Sequence, residues 1–357
     1  MIFNKSSNGA AELKELIGFI YKSITFANLS SYIEFATRDL KKIIGAELYQ
    51  QAEDHYLSAN YHWVAPVPDE GETAESHPEY AILDELVKKI QYPLAVHAYR
   101  MYVPSSDLTH SDKGRQIFVS EQEKPAFEWQ IEKDNENLLS LAHRATDILL
   151  EWLDANIAYT VTVAGENDGE TVEEVLLKWA DSAAYLSTKD LFINNVDEFE
   201  KVFLIENSRV TFLALVPFIR RFQHNDILAI IGKDRYDELL AAIASMEDGE
   251  EPVATLLDKV RTPLALMAMS VAVKRLSAQI LPSGIFSNIV TGVVKSKNAS
   301  GKIDRNEVSN SLEKDGLKEL VKLQEHIRKL DLTEAGETYT AVDPSERIDE
   351  TLKFVRL

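Results

Sequence analysis

The sequence has no cysteine and little glycine or proline. Among its 357 residues there are 0 Cys, 14 Gly and 11 Pro. Without cysteine the chain has no disulfide framework, no thiolate metal site and no cysteine nucleophile. The combined share of Gly and Pro lies well below the roughly 12% of an average protein. So few helix breakers favour long helices over a fold with many turns.

Basic residues are also scarce, and long hydrophobic runs are absent. Lys and Arg number 38 against 58 Asp and Glu, which gives a net charge of −20. Such a chain lacks the basic surface that neutralises phosphates, so we expect no sequence-specific binding of nucleic acid. The longest apolar stretch, 263–273, is far shorter than the ~20 residues that a membrane helix needs. The first residues have no signal-peptide pattern, and we therefore expect a soluble protein made in a cytoplasm.

Similar residues recur in the same order along the two halves of the chain, which is the mark of an internal repeat. The offset in residue number is 186 for Leu13/Phe199, Ile17/Phe203, Thr25/Thr211, Phe26/Phe212 and Ile33/Ile219. It is 187 for Ile44/Ile231, Gly45/Gly232 and Tyr49/Tyr236, and 170 for Pro93/Pro263, Leu94/Leu264, Ala95/Ala265 and Gly114/Gly284. The series predicts a tandem duplication of one helical domain.

The repeat divides the chain into four predicted parts. Helical repeat 1 covers 10–157 and helical repeat 2 covers 194–331. Between them, 158–193 is expected to be an acidic linker, turn-rich at 165–170, followed by a connector helix through Trp179. The remaining residues, 332–357, form a polar C-terminal tail.

The hydrophobic spacing within each copy predicts a series of amphipathic helices. The second helix is expected to begin at a capping box of Ser31 and Glu34 and to end at Gly45. The longest helix of each copy carries a proline at the same place, Pro93 or Pro263. A proline inside a helix costs about 3 kcal/mol unless the helix bends or restarts there, so both helices are expected to bend.

A short β-prone run follows the longest helix in each copy. The runs are 116–119, after Gly114, and 289–294, after Gly284. They predict a small β-hairpin or strand element in each helical copy. The predicted fold class is therefore mainly α, built as a tandem duplication of a helical domain.

No catalytic constellation emerges from the sequence. None of the eight histidines has the spacing of a metal site such as H-E-x-x-H. His97 has Met267 as its counterpart in the second copy, which indicates a packed core histidine. His110 lies near Asp107 and Asp112, where a proton relay competes with the simpler interpretation of a solvated turn. We predict no catalytic, cofactor-binding or metal-ligating residues, no cofactor and no enzymatic activity.

Several segments resemble an uncharacterised family common in Bacteroidetes and their phages. They are Lys-Pro-Ala-Phe-Glu-Trp-Gln at 124–130, Leu-Leu-Glu-Trp-Leu at 149–153, and parts of 191–199 and 208–213. Members of that family are similar to structural proteins of phages or prophages, of the head–tail connector or neck-adaptor kind. The resemblance covers most of the chain and supplies no catalytic residues.

These observations lead to one main hypothesis. The chain is expected to be a non-enzymatic virion structural protein, assembled in the host cytoplasm, that forms a ring with copies of itself and contacts the portal and tail proteins. Duplication would let one chain fill two similar positions in the ring, and an acidic surface suits a channel that DNA must pass without adhering. The alternative is a soluble helical scaffold or protein-binding module that uses the groove between the repeats. A more distant alternative is a helical hydrolase built on His110.

Overall fold

A computed structural model describes residues 1–18, 25–61, 81–107, 109–112, 114–116, 126–164, 170–245, 251–276, 278–281, 284–287 and 300–335. Over these ranges the chain is mainly helical, which confirms the mainly α character of the predicted fold class. The first helices are α1 (Gly9–Leu16), α2 (Phe26–Ile44), α3 (Ala46–Leu57), α4 (Ala81–Ser106) and α5 (Glu128–Ala155). They are followed by α6 (Ala183–Lys189), α7 (Val196–Glu200), α8 (Arg209–Phe222), α9 (Leu228–Ile231), α10 (Lys233–Ser245), α11 (Glu251–Arg275) and α12 (Ser300–Glu334).

Within the described ranges, three antiparallel strand pairs lie between the helices. They are β1 (Thr109–Ser111) with β2 (Gly114–Gln116), β3 (Ala158–Ala164) with β4 (Glu170–Leu176), and β5 (Ala278–Leu281) with β6 (Gly284–Ser287). The last paired residues of β1 and the first of β2 are Ser111 and Gly114, and those of β5 and β6 are Leu281 and Gly284. These two pairs are related by the same offset, 170, that relates the helix prolines of the two copies. Of the β-prone runs, 117–119 and 289–294 lie outside the described residues.

The chain falls into two compact units. The first contains residues 1–216 and 278–303, and the second contains 217–277 and 304–357. The boundary does not follow the predicted copies, because 194–216, the expected start of repeat 2, belongs to the first unit.

In the first unit, α4 is the central helix and packs against α2, α3 and α5. It continues past Pro93, so the proline does not end the helix. Its buried positions follow one helix face from Ile82 to Ile90, but the four consecutive residues 93–96 are all buried, so the middle of the helix is enclosed on several sides. The core beneath it is formed mainly by Leu29, Ile33, Ala36, Leu40, Leu48, Tyr49, Tyr56, Leu86, Ile90, Leu94, Leu149, Leu150 and Leu153.

In the second unit, α11 is the long central helix and likewise runs through its proline, Pro263. It packs against α10, and the Ser309 hydroxyl donates a buried 2.6 Å hydrogen bond to the Ser270 carbonyl, which ties α12 to α11. The buried residues of this unit include Phe222, Ile227, Ile231, Tyr236, Leu239, Leu256, Val260, Leu264, Ala268, Ala272, Leu320, Leu323 and Ile327.

The predicted start of α2 is wrong. Ser31 lies inside the helix, which begins at Phe26 after Thr25. The Thr25 N–H donates to Asn28 Oδ1 at 3.0 Å, so Thr25 and Asn28 provide the cap that was assigned to Ser31 and Glu34. The helix extends further because Leu29, one turn before Ile33, is also fully buried.

The predicted connector helix through Trp179 is also wrong. Residues 158–164 and 170–176 form the β3–β4 hairpin, Trp179 lies in the turn that follows, and the next helix begins only at Ala183. The two segments are rich in β-branched residues, which fit a pleated strand better than a helix.

Between α8 and α9 the helix contains a π-helical turn, Gln223–Ile227. The offset between the predicted copies is 186 for Ile33 and Ile219 but 187 for Ile44 and Ile231, so the predicted second copy has one extra residue in this interval. A π-helical turn is how a helix accommodates one extra residue. The turn therefore lets Ile231 keep the buried position that Ile44 has in the first unit.

Candidate interaction surface

The first ten residues of α5, 128–137, contain no buried side chain. Leu138 is the first buried residue of the helix, about 15 Å along the axis from its start at 1.5 Å per residue. The backbone N–H of Phe127 donates to Gln130 Oε1 at 3.0 Å, which caps the exposed helix start. We call residues 127–137 the α5 start.

The α5 start exposes large hydrophobic side chains. Phe127 is 69% exposed, Trp129 is 55% exposed and Ile131 is 37% exposed. Scattered apolar side chains are ordinary on a protein surface, but three large ones within five residues of a helix start favour an interaction site. Residues two apart do not share a helix face, so Trp129 lies on roughly the opposite side from Phe127 and Ile131. Sequence reasoning found this segment only as part of a family resemblance. The signal for a surface was the apolar residues among charges just before the buried stripe at Leu138.

Acidic residues accompany the apolar ones. Glu128, Glu132 and Glu136 follow one another at intervals of four, which places them on one face of the helix. Within the part of the chain that the structure describes, none of the three forms an ion pair. Like charges at this spacing disfavour the isolated helix by about 0.2–0.5 kcal/mol per pair. A basic partner would relieve that repulsion.

His97 lies where a core histidine was predicted. Its Nε2 is 3.1 Å from Thr146 Oγ1, and the Thr146 hydroxyl in turn donates to the Ala142 carbonyl at 2.9 Å. Burial, with smaller contributions from Arg100 and His143, lowers the pKa of His97 to about 4. The imidazole is therefore neutral near pH 7 and holds α4 against α5.

His110 is not placed in a catalytic arrangement by the described residues. Its backbone lies in β1, opposite Arg115 in β2, and its side chain is outside the described part. Asp107 and Asp112 are both exposed on either side of the strand.

Among the described residues of the first unit, the most buried carboxylate is that of Glu12, which is 1% exposed. It accepts hydrogen bonds from the Asn4 N–H at 2.8 Å and from the Tyr56 hydroxyl at 2.7 Å, and that hydroxyl accepts from the Lys5 N–H at 2.7 Å. Burial raises the pKa of the Glu12 carboxyl, although both of its donors act in the opposite direction. The Glu12 carboxylate therefore holds residues 4–12 against α3, which is a structural role.

A second polar contact lies nearby, where His55 Nε2 is 2.6 Å from Asp84 Oδ1 and joins α3 to α4. His55 is buried and Asp84 is half-buried. The His55 ring also packs edge-on against Tyr61, with 5.8 Å between the ring centroids. A histidine oriented by a carboxylate is one part of a nucleophilic site, but a nucleophile within reach is also needed. The contacts of His55 and Asp84 join α3 to α4 and pack the His55 ring against Tyr61, so the pair has a structural role.

In the second unit the π-helical turn carries a small polar cluster. The fully buried Gln223 side chain donates to the Tyr236 hydroxyl at 2.8 Å, and that hydroxyl lies 3.4 Å from His224 Nδ1. Burial raises the pKa of Asp226 in the same turn, and Arg221 acts in the opposite direction. The contacts join the turn to α10, the helix that follows Gly232.

Within the described ranges, no group of three or more His, Asp or Glu side chains is arranged to hold a metal ion. None of the helices in that part of the chain combines the length and the apolar character that crossing a bilayer requires.

The fold and surface define a mainly helical protein with an exposed apolar and acidic helix start. The chain belongs to a family of unknown function, DUF6712, whose sequence model matches residues 40–167 and 227–340. The starts of the two matched segments differ by 187 in residue number, as do Ile44 and Ile231. Comparison with curated proteins and with solved structures gave no significant match.

Proposed function

We propose that this chain is a non-enzymatic structural protein that assembles with copies of itself, as a ring-forming head–tail connector or neck adaptor of a phage particle. The observation that carries the proposal is the exposed α5 start, where Phe127, Trp129 and Ile131 are exposed on a helix that has no buried side chain among its first ten residues. An interface residue of this kind is largely exposed in the free chain and buried on association.

The polar clusters favour a structural role over catalysis. Glu12 with Tyr56, His97 with Thr146, and Gln223 with Tyr236 each join two segments of the same unit. A catalytic site needs several groups that converge on a space where a substrate can lie. The clusters instead bring together backbone and side-chain partners that are already part of the fold.

The repeat supports assembly into a ring. Two similar helical copies in one chain provide two similar surfaces, so that repeat 1 of one molecule can meet repeat 2 of the next. Such a heterologous contact produces a closed ring when the rotation per subunit closes and a filament when it does not. The equal spacing of the two family matches and of the Ile44 and Ile231 pair supports the duplication on which this argument depends.

The charge of −20 favours a role beside DNA rather than on it. A strongly acidic wall repels the phosphate backbone and does not hold it by counterion release. The head–tail passage of a phage particle requires DNA to move without adhering, and the family resemblance of the 124–130 segment points to the same setting. The portal and tail proteins are the partners that this setting implies.

The test of self-assembly is the mass of the purified chain, measured by light scattering over a hundredfold range of concentration. A closed oligomer whose mass is a fixed multiple of 40.2 kDa is the expected result. A matched variant, Trp129→Ser with Phe127→Ser, should shift the mass toward the monomer while the circular dichroism spectrum stays that of a helical protein. A wild-type chain that remains monomeric at every concentration would overturn the ring.

The location of the chain in a phage particle is tested separately. Antibodies raised against the chain should label purified particles, and the chain should be present there in a fixed ratio to the portal protein. If the chain is found only outside particles, and bound to a different protein, the alternative of a helical binding module replaces the adaptor.

A further inference from the structure

The two copies carry opposite charge at equivalent places. Residues 125–136 contain four acidic residues and one lysine, a net charge of −3. Residues 295–306, which lie at the same offset of 170, contain four basic residues and one aspartate, a net charge of +3. No other stretch of equal length in this chain is more positive. We call residues 295–306 the basic segment.

The acidic member of this pair is the α5 start. Its Glu128, Glu132 and Glu136 lie on one helix face beside the exposed Trp129 and Ile131. The basic segment contributes Lys295, Lys297, Lys302 and Arg305. Its last residues, from Ser300 onward, belong to α12, so the equivalent helix of the second copy begins within it.

We propose that the basic segment of one molecule binds the α5 start of a neighbouring copy. This inference rests on the proposed self-assembly and identifies the surfaces that perform it. Charge complementarity selects a second copy as the occupant, because a chain with a net charge of −20 repels itself everywhere except where a basic segment faces an acidic one.

The arrangement also specifies which segments meet. The α5 start in repeat 1 and the basic segment in repeat 2 cannot pair with themselves, so each contact joins unlike segments, either from head to tail around a ring or twice over in a reciprocal dimer. Like-charge pairs of two α5 starts or of two basic segments are disfavoured, which excludes a dimer in which identical segments meet. The glutamate face then lies at the centre of the contact, and Trp129 and Ile131, on either side of that face, lose exposure at its edges.

Charge reversal tests the pairing by light scattering. The acid-reversed variant carries Glu128→Lys, Glu132→Lys and Glu136→Lys, and the base-reversed variant carries Lys295→Glu, Lys297→Glu and Lys302→Glu. Each variant alone is expected to need at least a tenfold higher concentration than the wild type to assemble. An equimolar mixture should assemble again, because each variant then offers the surface that the other lacks.

A control variant keeps the change in net charge and moves it elsewhere. Glu34→Lys, Glu47→Lys and Glu238→Lys alter three exposed positions on α2, α3 and α10 and add the same charge as the acid-reversed variant. Its assembly should match that of the wild type. The circular dichroism spectra of all variants should stay helical, so that loss of assembly is not loss of folding.

Zero-length cross-linking of carboxylates to amines distinguishes one chain from two. Wild-type protein is mixed in equal parts with ¹⁵N-labelled protein, and cross-links between the α5 start and the basic segment are expected to join light and heavy peptides. Cross-links confined to a single isotope would show pairing within one chain and would overturn the inference.

The two proposals fail differently. A wild-type chain that assembles while both charge-reversed variants assemble equally well overturns the surfaces named here and leaves the adaptor function in place. A wild-type chain that never assembles overturns the ring itself.

Discussion

His97 and Thr146 contact each other across α4 and α5, and their counterparts at an offset of 170, Met267 and Gly316, contact each other across α11 and α12. In the first pair, His97 Nε2 lies 3.1 Å from Thr146 Oγ1. In the second, a β-carbon added to Gly316 would lie 2.8 Å from Met267 Sδ. Where one copy has the polar pair His97 and Thr146, the other has the long apolar Met267 facing Gly316, which has no side chain.

This paired exchange is what divergence after a duplication would leave behind. When histidine is replaced by the longer methionine, its partner must become smaller for the helices to keep their distance, because packed cores tolerate little extra volume. This exchange supports the tandem repeat more specifically than matching single residues do, because both residues of a contacting pair differ together between the copies.

Gly316→Ala is expected to destabilise the second unit. Alanine favours a helix over glycine by about 1 kcal/mol, but its β-carbon would overlap Met267, and overpacking of a core costs about 1–3 kcal/mol. We expect a net loss of about 1 kcal/mol in the free energy of unfolding, measured by urea denaturation. In a Met267→Ala background the same substitution should instead stabilise the protein. A stabilising Gly316→Ala in the wild type would show that Met267 moves aside without cost.

His97 is expected to make stability depend on pH. Its pKa is lowered from 6.5 to about 4 by burial first and then by Arg100 and His143, while Asp39 acts in the opposite direction. The unfolded chain therefore binds a proton between about pH 6.5 and 4 that the folded chain does not bind. The stability that neutral His97 contributes is present above pH 6.5 and is lost as the pH falls through this window.

The size of that loss should be about 2 kcal/mol, below the full value of its pKa shift because the side chain is not completely buried. The control is the double variant His97→Met with Thr146→Gly, which places the sister pair in the first unit and has no titrating group at position 97. Urea denaturation at pH 7.5 and pH 4.5 should show a steeper loss in the wild type than in the double variant. Equal slopes would contradict the role given to His97.

Tyr56→Phe is expected to loosen residues 4–12. The Tyr56 hydroxyl donates to the buried Glu12 carboxylate and accepts from the Lys5 N–H, so its removal leaves a buried acceptor and a backbone donor without this partner. Loss of such a partner costs about 1–3 kcal/mol, and more when the group left behind is charged. We expect a loss of about 3 kcal/mol in the free energy of unfolding, measured by urea denaturation.

The matched control for that change is Tyr185→Phe. Among the described residues, the Tyr185 hydroxyl forms no hydrogen bond, and its ring contacts Lys189 and Trp179. Its removal should cost less than about 0.5 kcal/mol, as is usual for substitutions away from buried networks. Hydrogen exchange should also show faster opening of residues 4–12 in the Tyr56→Phe protein alone.

The helical part of the fold was largely predictable because its signals are local and repeated. The buried face of α2 follows from the spacing of Ile33, Ala36 and Leu40. Gly45 and Gly232 end successive helices with φ of +89° and +80°, a region that glycine enters without a side-chain penalty. Because Gly45 and Gly232 are equivalent positions of the predicted repeat, the helix end predicted at each glycine supports the one predicted at the other.

The parts that sequence reasoning missed depend on less local information. The start of α2 was misplaced because two Ser/Thr/Asn caps lie within two turns of each other, and only the burial of Leu29 selects Thr25 over Ser31. The β3–β4 hairpin is not evident from local sequence, because its two strands flank an acidic stretch whose composition is also that of a linker. The exposed α5 start could not be found from spacing, since a surface is defined by what does not pack against it.

Deletion of Asn225 is expected to be tolerated, because it would remove the extra residue of the second copy. Without it, Ile219 and Ile231 would regain the spacing of Ile33 and Ile44, and the π-helical turn would become α-helix with Ile231 still buried. We expect a change of less than about 2 kcal/mol in the free energy of unfolding, as for an ordinary point substitution. Thermal unfolding followed by circular dichroism should show one cooperative transition.

The control for the Asn225 deletion is deletion of Glu238, another exposed helix residue. This second deletion would rotate every later residue of α10 by about 100° and move Leu239 out of the core. Its thermal transition should be lost or shifted to a much lower temperature, because no extra residue exists in α10 to be removed. Equal damage from the two deletions would show that the π-helical turn is required in its own right and is not the product of an insertion.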